Sequence, residues 1–103
     1  MVLLFEAVEA AKLLLDMLSN IADAYRIEIG FRRAKDMNRK YSDMNEEELH
    51  IQLICWYDEG NFWSKLPDRI TLPDKSGLVD KSELFKLTDD YRLAMLRICS
   101  STL

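Results

Sequence analysis

The hydrophobic residues near the start of the chain recur every three or four positions. Beginning at Leu4, one apolar row reaches Ile29 with spacings that alternate between four and three, which is the repeat of helices packed side by side. A second apolar row lies next to the first. The apolar stripe is therefore wide enough for a helix inside a bundle or at a dimer interface. We predict that the first row forms a homodimer interface, through Leu4, Val8, Ala11, Leu15, Leu18 and Ala22.

The sequence YRIEIGF, residues 25–31, follows a different pattern. Large apolar side chains alternate there with Arg, Glu and Gly, and a period of two is typical of a half-buried strand. However, nothing just before Tyr25 resembles a turn, and Ile29 continues the helical row. Gly30 costs a helix only about 1 kcal/mol relative to Ala. These considerations predict one long helix from about residue 3 to about residue 40.

A second helix is predicted from about residue 45 to about residue 58. Ser42, Asp43 or Asn45 can cap it, and three consecutive glutamates follow in the first turn, where the helix dipole favours negative charge. Gly60 marks its end.

The next segment, 60–81, is predicted to be a loop, because it holds both prolines and two of the three glycines. Its apolar residues indicate that this loop packs on the helices. The helical period then resumes through Leu84, Leu87 and Tyr91. It predicts a last helix from about residue 82 to about residue 100.

Together these elements predict an all-α fold, a small helical bundle with one long N-terminal helix, in a single domain of residues 1–103. The low content of Gly (3) and Pro (2) favours helices as well. The alternative is an α+β fold with short strands near 25–31, 50–57 and 69–72, since β-branched and aromatic residues are frequent in those segments.

Composition narrows the class of protein. Hydrophobic residues make up 49% of the chain and charged residues 31%, which is a globular balance. Acidic residues interrupt the apolar N-terminal segment, and no positive charge precedes it, so we expect neither a signal peptide nor a membrane span. The sequence thus predicts a cytoplasmic protein.

Charge is unevenly distributed along the chain, whose net charge is -4. Residues 26–40 contain six basic and two acidic side chains, whereas residues 41–60 contain six acidic and no basic ones. On the predicted long helix, Arg26, Arg33 and Lys40 are seven positions apart and share a face. Such a face can bind phosphate groups, although charge runs are more often simply solvated.

Catalytic motifs are absent from the sequence, which lacks phosphate-binding glycine loops, HExxH and a nucleophilic-serine motif. His50 is the single histidine, and Glu47-x-x-His50 has the spacing of carboxylate-bridged metal sites in helical bundles. No second copy of that spacing occurs. We therefore expect no enzyme activity, no catalytic or metal-binding residues and no cofactor.

The aromatic residues around position 60 suggest a binding surface. Four large aromatics fall between residues 56 and 63 beside charged side chains, a composition typical of protein-binding hot spots. We predict a non-enzymatic protein-binding module of the inhibitor, immunity, antitoxin or adaptor/chaperone type. A nucleic-acid-binding or regulatory role for the basic face is the alternative. The predicted partner-binding residues are Phe62, Trp63, Arg33, Arg26 and Lys40.

Overall fold

A computed structural model describes residues 4–72 and 77–101, with the side chains of residues 6–72 and 77–100. Most of these residues are helical, which confirms the predicted fold class. The elements in chain order are α1 (Leu4–Ala24), 3-10 turns at Ala34–Met37 and Tyr41–Asp43, α2 (Glu46–Asp58), α3 (Gly60–Lys65), β1 (Arg69–Thr71), β2 (Leu78–Asp80) and α4 (Lys81–Ser101).

Helix α1 ends at Ala24, so the prediction of one helix reaching residue 40 is wrong. The chain leaves the helix at Arg26, whose φ of 55° lies in the left-handed region. The amide of Ile27 donates to the carbonyl of Ala22 over 2.9 Å, and the amide of Arg26 donates to the backbone carbonyl of Asp23 over 3.2 Å. This pair of bonds is a Schellman C-cap. Because a left-handed arginine replaces the usual glycine, the sequence carries no stop signal here.

Residues 26–33 alternate between exposed and buried positions without forming a strand. Side chains, rather than a neighbouring strand, satisfy much of this backbone. Glu59 accepts from the amide of Gly30 over 2.9 Å, and the side-chain amide of Asn61 donates to the carbonyl of Glu28 over 2.7 Å. Both predictions for this segment, helix and strand, are thus wrong, although the period of two correctly marks which side chains face inward.

Helix α2 spans Glu46–Asp58, close to its predicted bounds. Asn45 caps it, because its side chain accepts from the amide of Glu48 over 2.9 Å while the Glu48 carboxylate accepts from the amide of Asn45 over 3.2 Å. This reciprocal pair is a capping box. The alternative of a strand near 50–57 is therefore wrong.

The segment 60–81 is more ordered than the predicted loop. It contains α3 and an antiparallel β1–β2 pair in which Ile70 lies opposite Val79. The strand considered near 69–72 is present at Arg69–Thr71. Residues 73–76 of the predicted loop lie outside the described residues.

The core lies between α1, α2 and α4, and Phe62 of α3 and Leu66 just after it close this core. Four residues predicted at a dimer interface, Ala11, Leu15, Leu18 and Ala22, are fully buried in this core, and Val8 packs beside them. The side chain of Leu4 lies outside the described residues. The chain therefore covers this row itself, and the row gives no reason to expect a dimer.

Within the described parts of the chain, none of the helices combines the length and apolar character that crossing a membrane requires.

Candidate functional site

The basic segment 26–40 does not form one face, because α1 ends before it. Arg33, predicted to contact a partner, is instead only 8% exposed. Its guanidinium donates to the hydroxyl and carbonyl of Ser19 over 3.1 and 3.3 Å and to the Asp23 carboxylate over 3.1 Å. Arg33 thus ties the segment after α1 back onto that helix, and its prediction as a contact residue is wrong.

Other basic residues of the segment form ion pairs within the chain. Lys35 binds Asp23 over 2.8 Å, and Arg39 forms two hydrogen bonds with Glu48. Burial alone would raise the pKa of Asp23, but hydrogen bonds from Lys35 and Arg33 outweigh it and lower the pKa. The hydrogen bond from Arg39 likewise lowers the pKa of Glu48.

Two of the predicted basic contact residues, Arg26 and Lys40, are exposed and form no ion pair among the described residues. Arg26 lies at the end of α1, whereas Lys40 lines a separate polar cavity of about 240 Å³ beside Asp16 and Asn20. Burial raises the pKa of Asp16. The structure therefore does not bring Arg26, Arg33 and Lys40 together as one phosphate-binding row.

Aromatic rings form a continuous series that passes through the core. Neighbouring ring centres lie 4.8–5.1 Å apart, and most pairs meet edge to face, a favourable geometry for aromatic contacts. Arg92 lies over the last ring at 4.5 Å from its centre. In order of contact, the rings are Phe31, Trp56, Phe62, Trp63, Phe85 and Tyr57.

The two aromatic residues predicted to contact a partner have different environments. Phe62 is fully buried between Trp56 and Trp63, so its prediction as a contact residue is wrong. Trp63 is half-buried, and its indole nitrogen donates to the carbonyl of Trp56 over 2.7 Å. The hydrogen bond holds the indole in place while part of the ring stays open to solvent.

Trp63 forms one wall of an open cleft of about 390 Å³. Phe85 forms the second wall, and the two rings are nearly perpendicular, at 89°. The remaining lining residues are polar: Asp68, Asp80, Lys81 and Ser82. We call this the aromatic cleft.

The charged side chains of the aromatic cleft differ in how fully partners within the chain bind them. The ammonium of Lys81 donates to the carbonyls of Trp63 and Leu66, each over 3.0 Å, and lies 3.9 Å from the carboxylate of Asp68. The Asp68 side chain is fully exposed, and Asp80 forms only a surface pair with Arg69 over 3.5 Å. The cation is thus held by backbone, whereas two carboxylates face solvent beside the rings.

Folding brings the members of this cleft together from segments up to 22 positions apart. The antiparallel pair of β1 and β2 places Asp80 opposite Arg69, and the amide of Lys81 donates to the carbonyl of Asp68 over 2.8 Å. Sequence reasoning included Trp63 but missed Phe85, Asp68 and Asp80. The available signal was the short strand considered near 69–72, whose partner strand was not predicted.

The described residues contain no group of three or more His, Cys, Asp and Glu side chains placed to hold a metal ion. The pKa of His50 is lowered by burial and by nearby Arg92. Cys55 and Cys99 are half-buried. Burial and neighbouring acidic groups raise the pKa of both thiols, which disfavours the reactive thiolate.

Neither the models of protein families, nor the curated proteins, nor the solved structures include a match to this chain.

Proposed function

We propose that this protein is a non-enzymatic module that binds another protein stoichiometrically through the aromatic cleft. The observation that carries the proposal is the half-buried indole of Trp63, held by a hydrogen bond and open to a cleft that Phe85 completes. Rigid, partly exposed aromatic side chains in a pocket are the usual anchors of protein interfaces. Inhibitor, immunity, antitoxin and adaptor roles all use such contacts.

The occupant that suits the cleft best is a basic side chain of the partner. The faces of Trp and Phe attract cations when these lie within about 6 Å, and Asp68 and Asp80 add two solvent-facing carboxylates at the rim. Lys81 does not fill this role, because its ammonium already binds two carbonyl groups. An arginine suits the site especially well, since its planar guanidinium stacks on rings and pairs with carboxylates.

The nucleic-acid alternative has less support. Arg33, Lys35 and Arg39 are engaged with Asp23, Ser19 or Glu48 within the chain, and a phosphate-binding surface needs cations that are free to replace counterions.

The occupant can be tested by NMR titration with N-acetyl-arginine amide, using N-acetyl-citrulline amide as the neutral control of equal shape. We expect the arginine probe to shift the Trp63 indole and Phe85 ring signals, and Asp68→Lys to weaken that response at least several-fold. Glu6→Lys, an exposed change outside the cleft, should leave it unchanged. Equal responses to both probes would contradict charge recognition.

The partner itself can be sought by affinity capture from the native host, with wild-type, Trp63→Leu and Asp68→Lys proteins as parallel baits. A partner of the aromatic cleft is retained by wild type and lost by both variants, while their melting temperatures show that they remain folded. A partner retained equally by all three baits would place the interaction elsewhere.

A further inference from the structure

Helices α2 and α4 pack side by side in opposite directions. At one end, the Tyr57 ring lies between Phe85 and Arg92, at 4.9 and 4.5 Å. At the other end, burial and the nearby Glu47 carboxylate raise the pKa of Cys99. Residues of α2 and α4 whose numbers add up to about 142–149 therefore lie at about the same level along the two helices.

One side of this helix pair is uncovered. Helix α1 contacts both α2 and α4 and covers their inner side. On the outer side, Ile51 of α2 is 52% exposed, and Leu93 and Leu96 of α4 are 38% and 43% exposed. Because α2 and α4 are antiparallel, Ile51 lies level with Leu93 and Leu96. The three side chains thus form one apolar patch, with half-buried Ile54 beside it.

Charged residues flank the patch on each helix. With 100° of rotation per residue, the outer row of α2 consists of Glu47, Ile51, Ile54 and Asp58. The corresponding row of α4, at the same spacing, consists of Lys86, Asp90, Leu93 and Arg97, with Leu96 alongside. The α2 row is acidic at both ends, and the α4 row is basic at both ends.

The charges match in position as well as in sign. In the antiparallel register Asp58 lies level with Lys86, and Glu47 lies level with Arg97. All four are exposed, and none forms an ion pair with another described residue. We call the two rows together the outer α2–α4 face.

We infer that a second copy of this chain docks on the outer α2–α4 face, with a two-fold axis parallel to the helices that sets α2 of each copy on α4 of the other. A rotation of 180° about that axis preserves the level of each residue. It therefore brings Glu47 opposite Arg97, Asp58 opposite Lys86 and Ile51 opposite Leu93 and Leu96 of the other copy. Such a self-complementary surface is what a two-fold interface requires.

The size of the face predicts a weak dimer. Helix α2 has 13 residues, which correspond to about 20 Å, and two adjacent helices are about 20 Å wide. A footprint of roughly 400 Å² is below the roughly 800 Å² per partner of a standard interface. We therefore expect dissociation in the micromolar range. This inference does not depend on the aromatic cleft.

The experiment is sedimentation equilibrium of the full chain between about 10 and 300 μM. Wild type should approach dimer mass at the upper end, and Ile51→Asp should remain a monomer. Two double variants test the charges: Glu47→Arg with Asp58→Lys, and Lys86→Glu with Arg97→Glu. Each gives the ends of both rows the same sign, so each alone should associate at least ten-fold more weakly than wild type.

The decisive sample is an equimolar mixture of the two double variants. A basic pair of rows then meets an acidic pair, and the mixture should regain wild-type association, which no folding defect of either variant can produce. The chain carrying all four changes should also dimerise with itself. Glu6→Arg with Glu28→Lys, two exposed sites off this face, is the control and should behave as wild type.

Three results would overturn the inference. A wild-type chain that is monomeric at 300 μM does not associate with itself through this face. A dimer that survives both Ile51→Asp and the double variants uses another surface. A mixture that stays monomeric while both double variants keep wild-type melting temperatures refutes the proposed pairing of charges.

Discussion

Single residues decide how the segment after α1 is attached to the rest of the molecule. Arg33 is the clearest case, since its buried guanidinium binds Ser19 and Asp23 on α1. Its Nε forms no hydrogen bond and lies 3.9 Å from Asp36. The residue that the sequence presents as part of a basic surface is therefore a structural tie.

Arg33→Met should lower the free energy of unfolding by about 2–3 kcal/mol, because it removes buried hydrogen bonds to a charged group and leaves Ser19 and Asp23 without that donor. Urea denaturation measures this change. The neighbouring Arg32→Met is the matched control, since Arg32 is exposed, and its effect should stay within about 0.5 kcal/mol. Equal losses in the two variants would contradict the role of Arg33.

Acid stability should depend on Asp23, whose pKa is lowered in the folded chain. A depressed carboxyl pKa stabilises the fold above the pKa of the unfolded state, and that stabilisation disappears as the pH falls through the folded value. Urea midpoints measured between pH 7 and pH 2 should therefore fall less steeply for Asp23→Asn than for wild type. Parallel curves would show that the carboxylate does not contribute.

At the scale of elements, helix ends determine the path of the chain more than helix interiors do. The capping box of Asn45 and Glu48 starts α2, and the left-handed Arg26 stops α1. The extended segment that follows lies against α2 and the junction of α2 with α3, because the Gln52 side chain donates to the carbonyl of Arg32 over 3.0 Å and Glu59 accepts from Gly30.

The end of α1 can be tested at Arg26. Arg26→Gly should keep the free energy of unfolding within about 0.5 kcal/mol of wild type, because relief of the left-handed conformation offsets the extra freedom of glycine in the unfolded chain. Arg26→Val should cost about 1–2 kcal/mol, since a β-branched residue disfavours a positive φ. Thermal and urea melts provide the comparison.

Arg32→Val is the control for Arg26→Val, because Arg32 lies exposed in the adjacent extended segment and has no positive φ. It should change stability little. If valine is tolerated equally at both positions, the C-cap of α1 does not have the geometry described above.

At the scale of the whole molecule, the aromatic series joins the core to the aromatic cleft. Its members differ in burial: Trp56 and Phe62 are fully buried in the core, whereas Trp63 and Phe85 line the cleft. Stability and binding should therefore separate along the series.

Phe62→Ala should destabilise the chain by about 3–5 kcal/mol, the usual cost of truncating a fully buried phenylalanine. Trp63→Ala should cost less, because part of the indole is already exposed to the cleft. Thermal melts give the ranking, and Phe62→Leu, which keeps most of the volume, should retain most of the stability. A larger loss for Trp63→Ala than for Phe62→Ala would mark Trp63 as a core residue and weaken the proposed site.

The sequence alone determined the helical class and the faces of its elements. Apolar spacing located α2 and the first part of α1, and three glutamates marked the start of α2. Even where the chain is extended after α1, the period of two identified Ile27, Ile29 and Phe31 as the apolar side chains that face inward. These features depend on neighbours a few positions apart, and a sequence displays such neighbours directly.

Tertiary structure decided where α1 ends, what Arg33 binds and which residues form the two proposed surfaces. Arg26 adopts a left-handed conformation although it is not a glycine. This conformation is stabilised because Ile27 then reaches the core. Arg33 meets Ser19 across 14 positions, and Phe85 meets Trp63 across 22. Local periodicity carries no information about such distant pairs, since the packing of helices and strands, rather than their own patterns, brings these residues together.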